Sequence, residues 1–477
     1  MPGVPQQVVS ALSRIVGDQF VRLAKSELET YSRDALPTLR SVPGVVVLPE
    51  TRDEVVRVVK VLAHHHVPFV ARGAGTGLSG GALANSDAVL IALTRLNRIL
   101  EIDAENRCAV VEPGVVNARL SEAVAQLELF YAPDPSSQTA CTLGGNVAEN
   151  AGGPHCLKYG VTSHHILELE VVLPDGSIVT MGSRTGEPWG PDLVGLFVGS
   201  EGMFGIATKI TVRLSHTPPS VRTLLADFDD LPTAGRAVSA IISSGMVPAA
   251  LEMMDRVCIE VVEASRYAAG YPVDAAAVLL VDLDGATEQQ VVDEGAAIES
   301  LLKEHGARGV RAASDATERA RLWQGRKKAF GALGRMSPDL MVQDAVVPRS
   351  SLPDILSRIE SIAEGYDLRI GNVFHAGDGN LHPNIGFDRH DPVELERVEQ
   401  ASAAIMRACI EVGGTITGEH GVGLDKQHYM TDIFDADTLD GMARLRHAFD
   451  PSGLANPGKV IPTHACREWW QGAGRDA

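Results

Sequence analysis

A chain of 477 residues exceeds what one hydrophobic core ordinarily organises, so two or more domains are expected. Apolar residues make up 45% and charged residues 22%, the balance of a folded globular protein rather than a disordered one. A net charge of −19 argues against nucleic acid or an anionic membrane surface as a partner. No apolar run approaches the ~20 residues that span a bilayer. Residues 1–18 lack a basic start and are interrupted by Arg14 and Asp18, so no signal peptide is read and the cytoplasm is the expected location. Cys108, Cys141, Cys156, Cys258, Cys409 and Cys466 form no Cys-x-x-Cys pair. That excludes a cysteine-bound iron–sulfur cluster of the usual spacing and gives no sign of a disulfide framework.

In chain order, Val8, Val9, Leu12, Ile15, Val16, Phe20 and Leu23 recur at helical spacing and predict an amphipathic opening helix. A strand at 45–48 follows, then the capping box Thr51-Arg52-Asp53-Glu54, opening a helix to about His64, and a strand at 67–71. His64-His65-His66 reads as imidazoles at a helix C-terminus, not as a metal site. Next comes Arg72-Gly73-Ala74-Gly75-Thr76-Gly77-Leu78-Ser79-Gly80-Gly81, in which Gly75, Gly77 and Gly80 match G-x-G-x-x-G. A Rossmann fingerprint must open a helix, whereas 82–87 is broken by Asn and Asp and 88–93 reads as a strand. What remains is a loop whose bare backbone N–H groups can wrap a phosphate.

Strands at 99–103 and 109–112 precede a helix over 117–127 with Asn117 as its cap. A second polar, glycine-rich region runs from Pro133-Asp134 through Thr142-Leu143-Gly144-Gly145-Asn146 to Asn150-Ala151-Gly152-Gly153. Residues 167–173 and 177–181 form a hairpin about Pro174-Asp175-Gly176, and Gly199-Ser200-Glu201-Gly202-Met203-Phe204-Gly205-Ile206 is a third such loop, leading into a strand to Leu214. Three glycine loops with few regular helices imply a domain wrapped around a large, extended ligand. Thr217-Pro218-Pro219-Ser220 marks a domain boundary, beyond which a strand at 279–283 and helices at 288–305 and 352–363 are read.

A different chemistry begins at Gly371-Asn372-Val373-Phe374-His375-Ala376-Gly377-Asp378-Gly379-Asn380-Leu381-His382-Pro383-Asn384. The turn Gly377-Asp378-Gly379-Asn380 predicts a hairpin in which Ala376 faces Leu381 and His375 faces His382, with Asn384 on the same face. Two imidazoles so placed can share one metal ion. Glu419, in the glycine-flanked Thr417-Gly418-Glu419-His420-Gly421-Val422-Gly423, can complete a His-His-carboxylate set with open positions, leaving His420 as an acid or base. Zn²⁺ is the expected ion, with Mn²⁺ or Fe²⁺ as alternatives that the same ligands can hold.

The three glycine loops resemble the FAD-binding domain of the vanillyl-alcohol oxidase family. His375, His382, Glu419-His420 and Asn456-Pro457-Gly458-Lys459 resemble its 2-hydroxy-acid dehydrogenase branch, which holds glycolate oxidase catalytic subunits and D-lactate and D-2-hydroxyglutarate dehydrogenases. The resemblance spans residues 31–461 and implies an α+β fold. It places a two-subdomain FAD-binding domain at 42–217, an α+β cap at 218–430 and a segment returning to the flavin at 431–464; the helical segment at 1–41 is read from its apolar spacing, and a tail at 465–477 remains.

It also implies site residues. The flavin is expected against Arg72, Gly73, Ala74, Gly75, Thr76, Gly77, Ser79 and Gly80 of the first loop. From the second region it draws Pro133, Asp134, Thr142, Gly144, Gly145, Asn146, Asn150, Gly152, Gly153, Tyr159 and Gly160. Glu201, Gly205 and Ile206 of the third loop and terminal Asn456 and Lys459 complete the set. Residues 72–81 contain no His, so the FAD is expected without a covalent link. Arg326, three residues after Trp323, is implied as the anchor for a substrate carboxylate, with Asn384 as a second substrate contact; read alone, Arg326 also fits a basic helix face, Arg326-Lys327-Lys328.

The implied reaction removes a hydride to the flavin and a hydroxyl proton to His420 from a small 2-hydroxy acid. Dicarboxylate-specific relatives carry a Lys where this chain has Val342, which points to D-lactate or glycolate over D-2-hydroxyglutarate. The electrons are expected to pass to a separate iron–sulfur subunit, cytochrome or quinone, which could hold the chain at the inner membrane; a homodimer is also compatible. Two other classes accommodate the same motifs. One is a flavin-binding electron-transfer subunit with no substrate of its own. The other is a metal-dependent hydrolase whose glycine loops grip a phosphorylated substrate.

Overall fold

The computed structural model describes residues 3–186 and 189–462; the expected tail at 465–477, with Cys466 and Trp469-Trp470, lies outside the described residues. The chain is α+β and forms two compact units. The first comprises Met1–Gly152, Val161–His216 and Glu419–Ala477, and the second Gly153–Gly160 and Thr217–Gly418. The second unit thus closes one residue before Glu419, so Glu419 and His420 belong to the first, although both fall inside the expected 218–430 span. None of the described helices is long and apolar enough to cross a membrane.

The first unit holds two larger sheets and a two-stranded one that pairs Ser215–His216 with Leu129–Phe130. One of the larger sheets runs in the order Val21–Arg22, Val45–Val47, Val89–Ala92, Phe69–Arg72, with the last three parallel. Their Val- and Ile-rich sequences are buried on both faces, as parallel strands require. The helix Arg52–His64 crosses between two of them and buries Val55, Val58, Val59 and Leu62. Thr51 Oγ1 accepts the Glu54 N–H at 3.2 Å, while the Glu54 carboxylate reaches back to the Glu50 N–H at 2.7 Å. The opening helix is shorter than its apolar spacing predicts. It spans Gln6–Val16 and stops at Gly17, whose φ of 89° no L-residue adopts cheaply. Phe20 still packs on the core beyond that break, but Leu23 is exposed.

The other sheet is antiparallel, in the order Ile99–Asp103, Cys108–Val111, Ile206–Arg213, Ile166–Val172, Ile178–Gly182. The expected hairpin about Pro174-Asp175-Gly176 is present, with Val172 opposite Ile178. Asn117 is not a cap. Val116 holds that place, and the Asn117 amide is buried, donating at 3.0 Å to both Pro133 O and Asn146 Oδ1. A further departure lies in the second glycine region, where Leu143–Glu149 forms a helix capped by Thr142.

The second unit carries a nine-stranded sheet. Its centre is Ser220–Phe228, Ala277–Gly285, Ala250–Asp255 and Ile370–His375, paired antiparallel in that order. Ala277–Gly285 outruns the expected 279–283 because it pairs over its full length with Ser220–Phe228. Helices Glu288–Glu304 and Leu352–Gly365 lie where the sequence places them; Ala316–Leu333 and Pro392–Glu411 are additional.

Candidate functional site

In the second unit the chain reverses at 376–379 between Ile370–His375 and Asn380–Leu381, one residue earlier than the turn signal suggests. Gly379 adopts φ 75° there, and a Cβ on it would strike the Val347 carbonyl. His375 therefore lies opposite Asn380 rather than His382, and Gly371 lies opposite Asn384. His382 becomes the diagonal neighbour of His375 on the same face. Both rings are buried, with centroids 5.2 Å apart and planes at 89°, and a ring nitrogen of each lies within 4.8 Å of the other. The expected juxtaposition survives the change of register.

Each imidazole is held from behind. His375 Nδ1 lies 2.8 Å and 3.0 Å from the two carboxylate oxygens of Glu252, and His382 Nδ1 lies 3.2 Å from Gln343 O. A carbonyl only accepts, so His382 carries its hydrogen on Nδ1, and the Glu252 carboxylate imposes the same tautomer on His375. Asp344, wholly buried, lies 3.8 Å from His382 Nδ1 and accepts the Thr417 hydroxyl at 2.5 Å and the Gly418 N–H at 3.0 Å. Glu252 is also wholly buried and forms an ion pair with Arg326. Burial pushes its carboxyl up, but Arg326 and His375 outweigh that and hold it below the ordinary carboxylate value.

Arg326 thus sits inside the unit on the helix Ala316–Leu333 and not on an exposed basic face. Its Nε, with Asn384 Oδ1 and Asn380 Oδ1, is buried and lacks a hydrogen-bond partner among the described residues. Buried polar groups are ordinarily satisfied, so three such atoms in this neighbourhood mark where a polar ligand would be received. Asn384 itself donates to Gly371 O at 3.1 Å and His382 O at 2.6 Å, which fixes its orientation. Val342 lies directly opposite Asn384 and is buried.

In the first unit the three glycine stretches converge. Arg72 ends its strand and donates to Arg33 O at 2.7 Å, and burial lowers its guanidinium pKa. Gly73-Ala74-Gly75-Thr76-Gly77 follows; a Cβ on Gly73 would strike the Thr142 hydroxyl and one on Gly75 (φ 72°) the Arg72 guanidinium. Thr142 Oγ1 takes the Gly145 N–H, and the helix bearing Gly144 and Asn146 ends at Asn150 in the left-handed region. The third loop is pinned to that helix: Gly199 N donates to Val147 O and Glu201 N to Ala148 O, both at 2.8 Å. Gly205 then turns the chain into the strand that Ile206 begins. Arg72 Nη1, Ser79 Oγ, Glu149 Oε2 and Ser200 Oγ are buried without a hydrogen-bond partner among the described residues. The Arg72 guanidinium, the two serine hydroxyls and the bare backbone N–H groups fit a phosphate-bearing ligand; the Glu149 carboxyl adds nothing to that fit.

Several expected flavin contacts spend their side chains on the protein itself. Asn456 Nδ2 donates to Gly81 O at 3.0 Å and Glu201 O at 2.5 Å, and Lys459 Nζ to Leu83 O at 2.5 Å and to Asn456 Oδ1. Glu201 accepts the Val422 and Gly423 N–H groups at 2.6 and 2.8 Å, and so fixes the loop after His420. Glu419, in that loop, accepts the Gly152 N–H at 3.1 Å. Pro133 contributes its carbonyl to Asn117, with Asp134 next to it. Gly153, Tyr159 and Gly160 fall in the second unit, where the Tyr159 hydroxyl donates to Asp284 at 2.5 Å. Glu252 and Asp344 belong to no motif that the sequence displays. Their only signal is a carboxylate inside an apolar strand or next to one.

Two families match the chain, and the second runs past Gly418, where the second unit ends. A FAD binding domain family matches residues 43–182, and the family of FAD linked oxidases, C-terminal domain, matches 217–460. The glycolate oxidase subunit GlcD of Escherichia coli K12 is 48% identical over 97% of this chain and 92% of its own. GlcD of Bacillus subtilis is 42% identical over 97% and 98%, and the mitochondrial D-lactate dehydrogenase [cytochrome] of Arabidopsis thaliana 30% identical over 97% and 81%. Among solved structures, p-cresol methylhydroxylase with substrate bound shares the fold at TM-score 0.82 and 19% identity, covering 96% of this chain and 98% of its own. The 4-ethylphenol oxidase of Gulosibacter chungangensis does so at 0.80 and 21%, with the same coverage. The chain therefore belongs to the FAD-linked oxidases, as a flavoenzyme of the vanillyl-alcohol oxidase fold.

Proposed function

We propose that this enzyme oxidises a short 2-hydroxy acid, D-lactate or glycolate, to the 2-oxo acid. The observation that carries the reading is the pair His375 and His382, both buried and both fixed with hydrogen on Nδ1, with Arg326 joined to His375 through Glu252 and Asn384 bonded to His382 O. An imidazole held by Nδ1 offers Nε2 to a cation, and carboxylate or carbonyl support behind a ligating His is the usual arrangement. With Glu419 as the carboxylate that the sequence pattern supplies, the donor set suits Zn²⁺, or Mn²⁺ or Fe²⁺. Such an ion, when bound, lowers the pKa of a substrate hydroxyl. FAD, when bound in the glycine cradle, takes up the hydride.

The chain's own residues do the rest. Arg326 receives the substrate carboxylate on the guanidinium edge not used by Glu252, and Asn384 orients the substrate beside it. His420 accepts the hydroxyl proton, and Glu201 holds the loop that carries it. Val342, opposite Asn384, offers no cation for a second carboxylate, which favours a monocarboxylate over D-2-hydroxyglutarate. The relatives' names, one a subunit and one a cytochrome-linked dehydrogenase, support transfer of the electrons to a separate protein or quinone. A panel of D- and L-2-hydroxy acids assayed with an artificial dye acceptor tests the reading. Turnover of D-lactate or glycolate is expected; turnover of none would end it.

A further inference from the structure

We infer that Glu252 is a positioning residue for the metal-binding face, fixing His375 as a ligand and at the same time holding Arg326 in place. The inference rests on the metal reading above and assigns to Glu252 a second task, that of holding Arg326 with the same charge that supports His375. Glu252 lies in the strand Ala250–Asp255, directly opposite His375 in the neighbouring strand, with no exposure to solvent. Both its oxygens lie within 3.0 Å of His375 Nδ1, and one also forms the ion pair with Arg326. No other carboxylate among the described residues pairs with Arg326.

The arrangement does two jobs with one charge. A carboxylate behind Nδ1 leaves the lone pair on Nε2 and makes it a stronger donor to a cation. Its negative charge also balances a guanidinium that would otherwise be buried uncompensated. A carboxylate whose only role is to balance Arg326 could be deleted together with it; one that orients His375 could not. That difference separates positioning from simple charge pairing.

The experiment is competition of Zn²⁺, and separately Mn²⁺, against a chromophoric chelator. It uses the flavin-loaded chain and the variants Glu252→Gln and Glu252→Gln/Arg326→Met, with flavin per chain as the check on folding. Glu252→Gln is expected to lower metal affinity roughly 10- to 100-fold. The double variant, which removes both buried charges and so guards against a misfolded single variant, is expected to stay equally weak. Unchanged affinity in Glu252→Gln, or wild-type affinity in the double variant, would overturn the inference while leaving the metal reading intact. A wild-type chain that binds neither ion would overturn both.

Discussion

His375 and His382 meet diagonally across a hairpin, their ring planes at 89° and their centroids 5.2 Å apart. Crossed rings present their nitrogens from different directions, as two ligands of one ion must. This relationship separates two kinds of mutant. His382→Ala is expected to lose bound metal and activity together. His420→Ala is expected to keep metal and flavin while kcat falls roughly 10²- to 10⁴-fold, the usual worth of a general base. Metal and flavin analysis of the two purified variants decides it; loss of the ion from His420→Ala would reverse the roles.

The flavin is expected to be held without a covalent bond, because no His occurs in 72–81. Acid precipitation should release the yellow colour into the supernatant. Gly75→Val should lower flavin content sharply, since its φ of 72° disfavours any side chain and a Cβ there would strike Arg72. Colour retained in the pellet would contradict the first expectation, and full flavin in Gly75→Val the second.

Substrate size is expected to turn on Val342. With wild-type enzyme, kcat/KM should favour D-lactate or glycolate over D-2-hydroxyglutarate. Val342→Lys should narrow that gap roughly 10- to 100-fold, since a hydrogen bond to a charged group contributes roughly 1.5–3 kcal/mol. An unchanged ratio of kcat/KM values would show that position 342 does not face the substrate.

Burial pushes the Glu201 carboxyl up to about 7 from an ordinary 4.5. Between those values the folded chain holds more protons than the unfolded one, so this group's contribution to stability falls as pH rises from 4.5 through 7. Glu201→Gln cannot titrate and should lack that part of the slope. Melting temperatures of both chains across roughly pH 5–8 should therefore diverge. Parallel profiles would contradict an elevated Glu201 pKa.

Much of the local structure was legible in the sequence because its signals are local. Glycine loops, the Thr51 capping box and the His-bearing hairpin all announce themselves within about a dozen residues. The hairpin register was not, because Gly379 and Asn380 both belong to a turn signal and only the left-handed Gly379 decides where pairing resumes. The helix Leu143–Glu149 escaped because Gly144, Gly145 and Asn146 are poor helix formers, although Thr142 was a readable cap. Glu252 stands 123 residues from the histidine it supports, so nothing in the local pattern could link them.

Delivery of electrons from a short 2-hydroxy acid to FAD in this chain is read by anaerobic reduction of the purified protein. Flavin absorbance near its visible maximum is followed after addition of D-lactate, glycolate, L-lactate or D-2-hydroxyglutarate. Rapid bleaching by D-lactate or glycolate, lost in His382→Ala, is the predicted result. A flavin that stays oxidised with all four acids while a chemical reductant bleaches it would contradict the account.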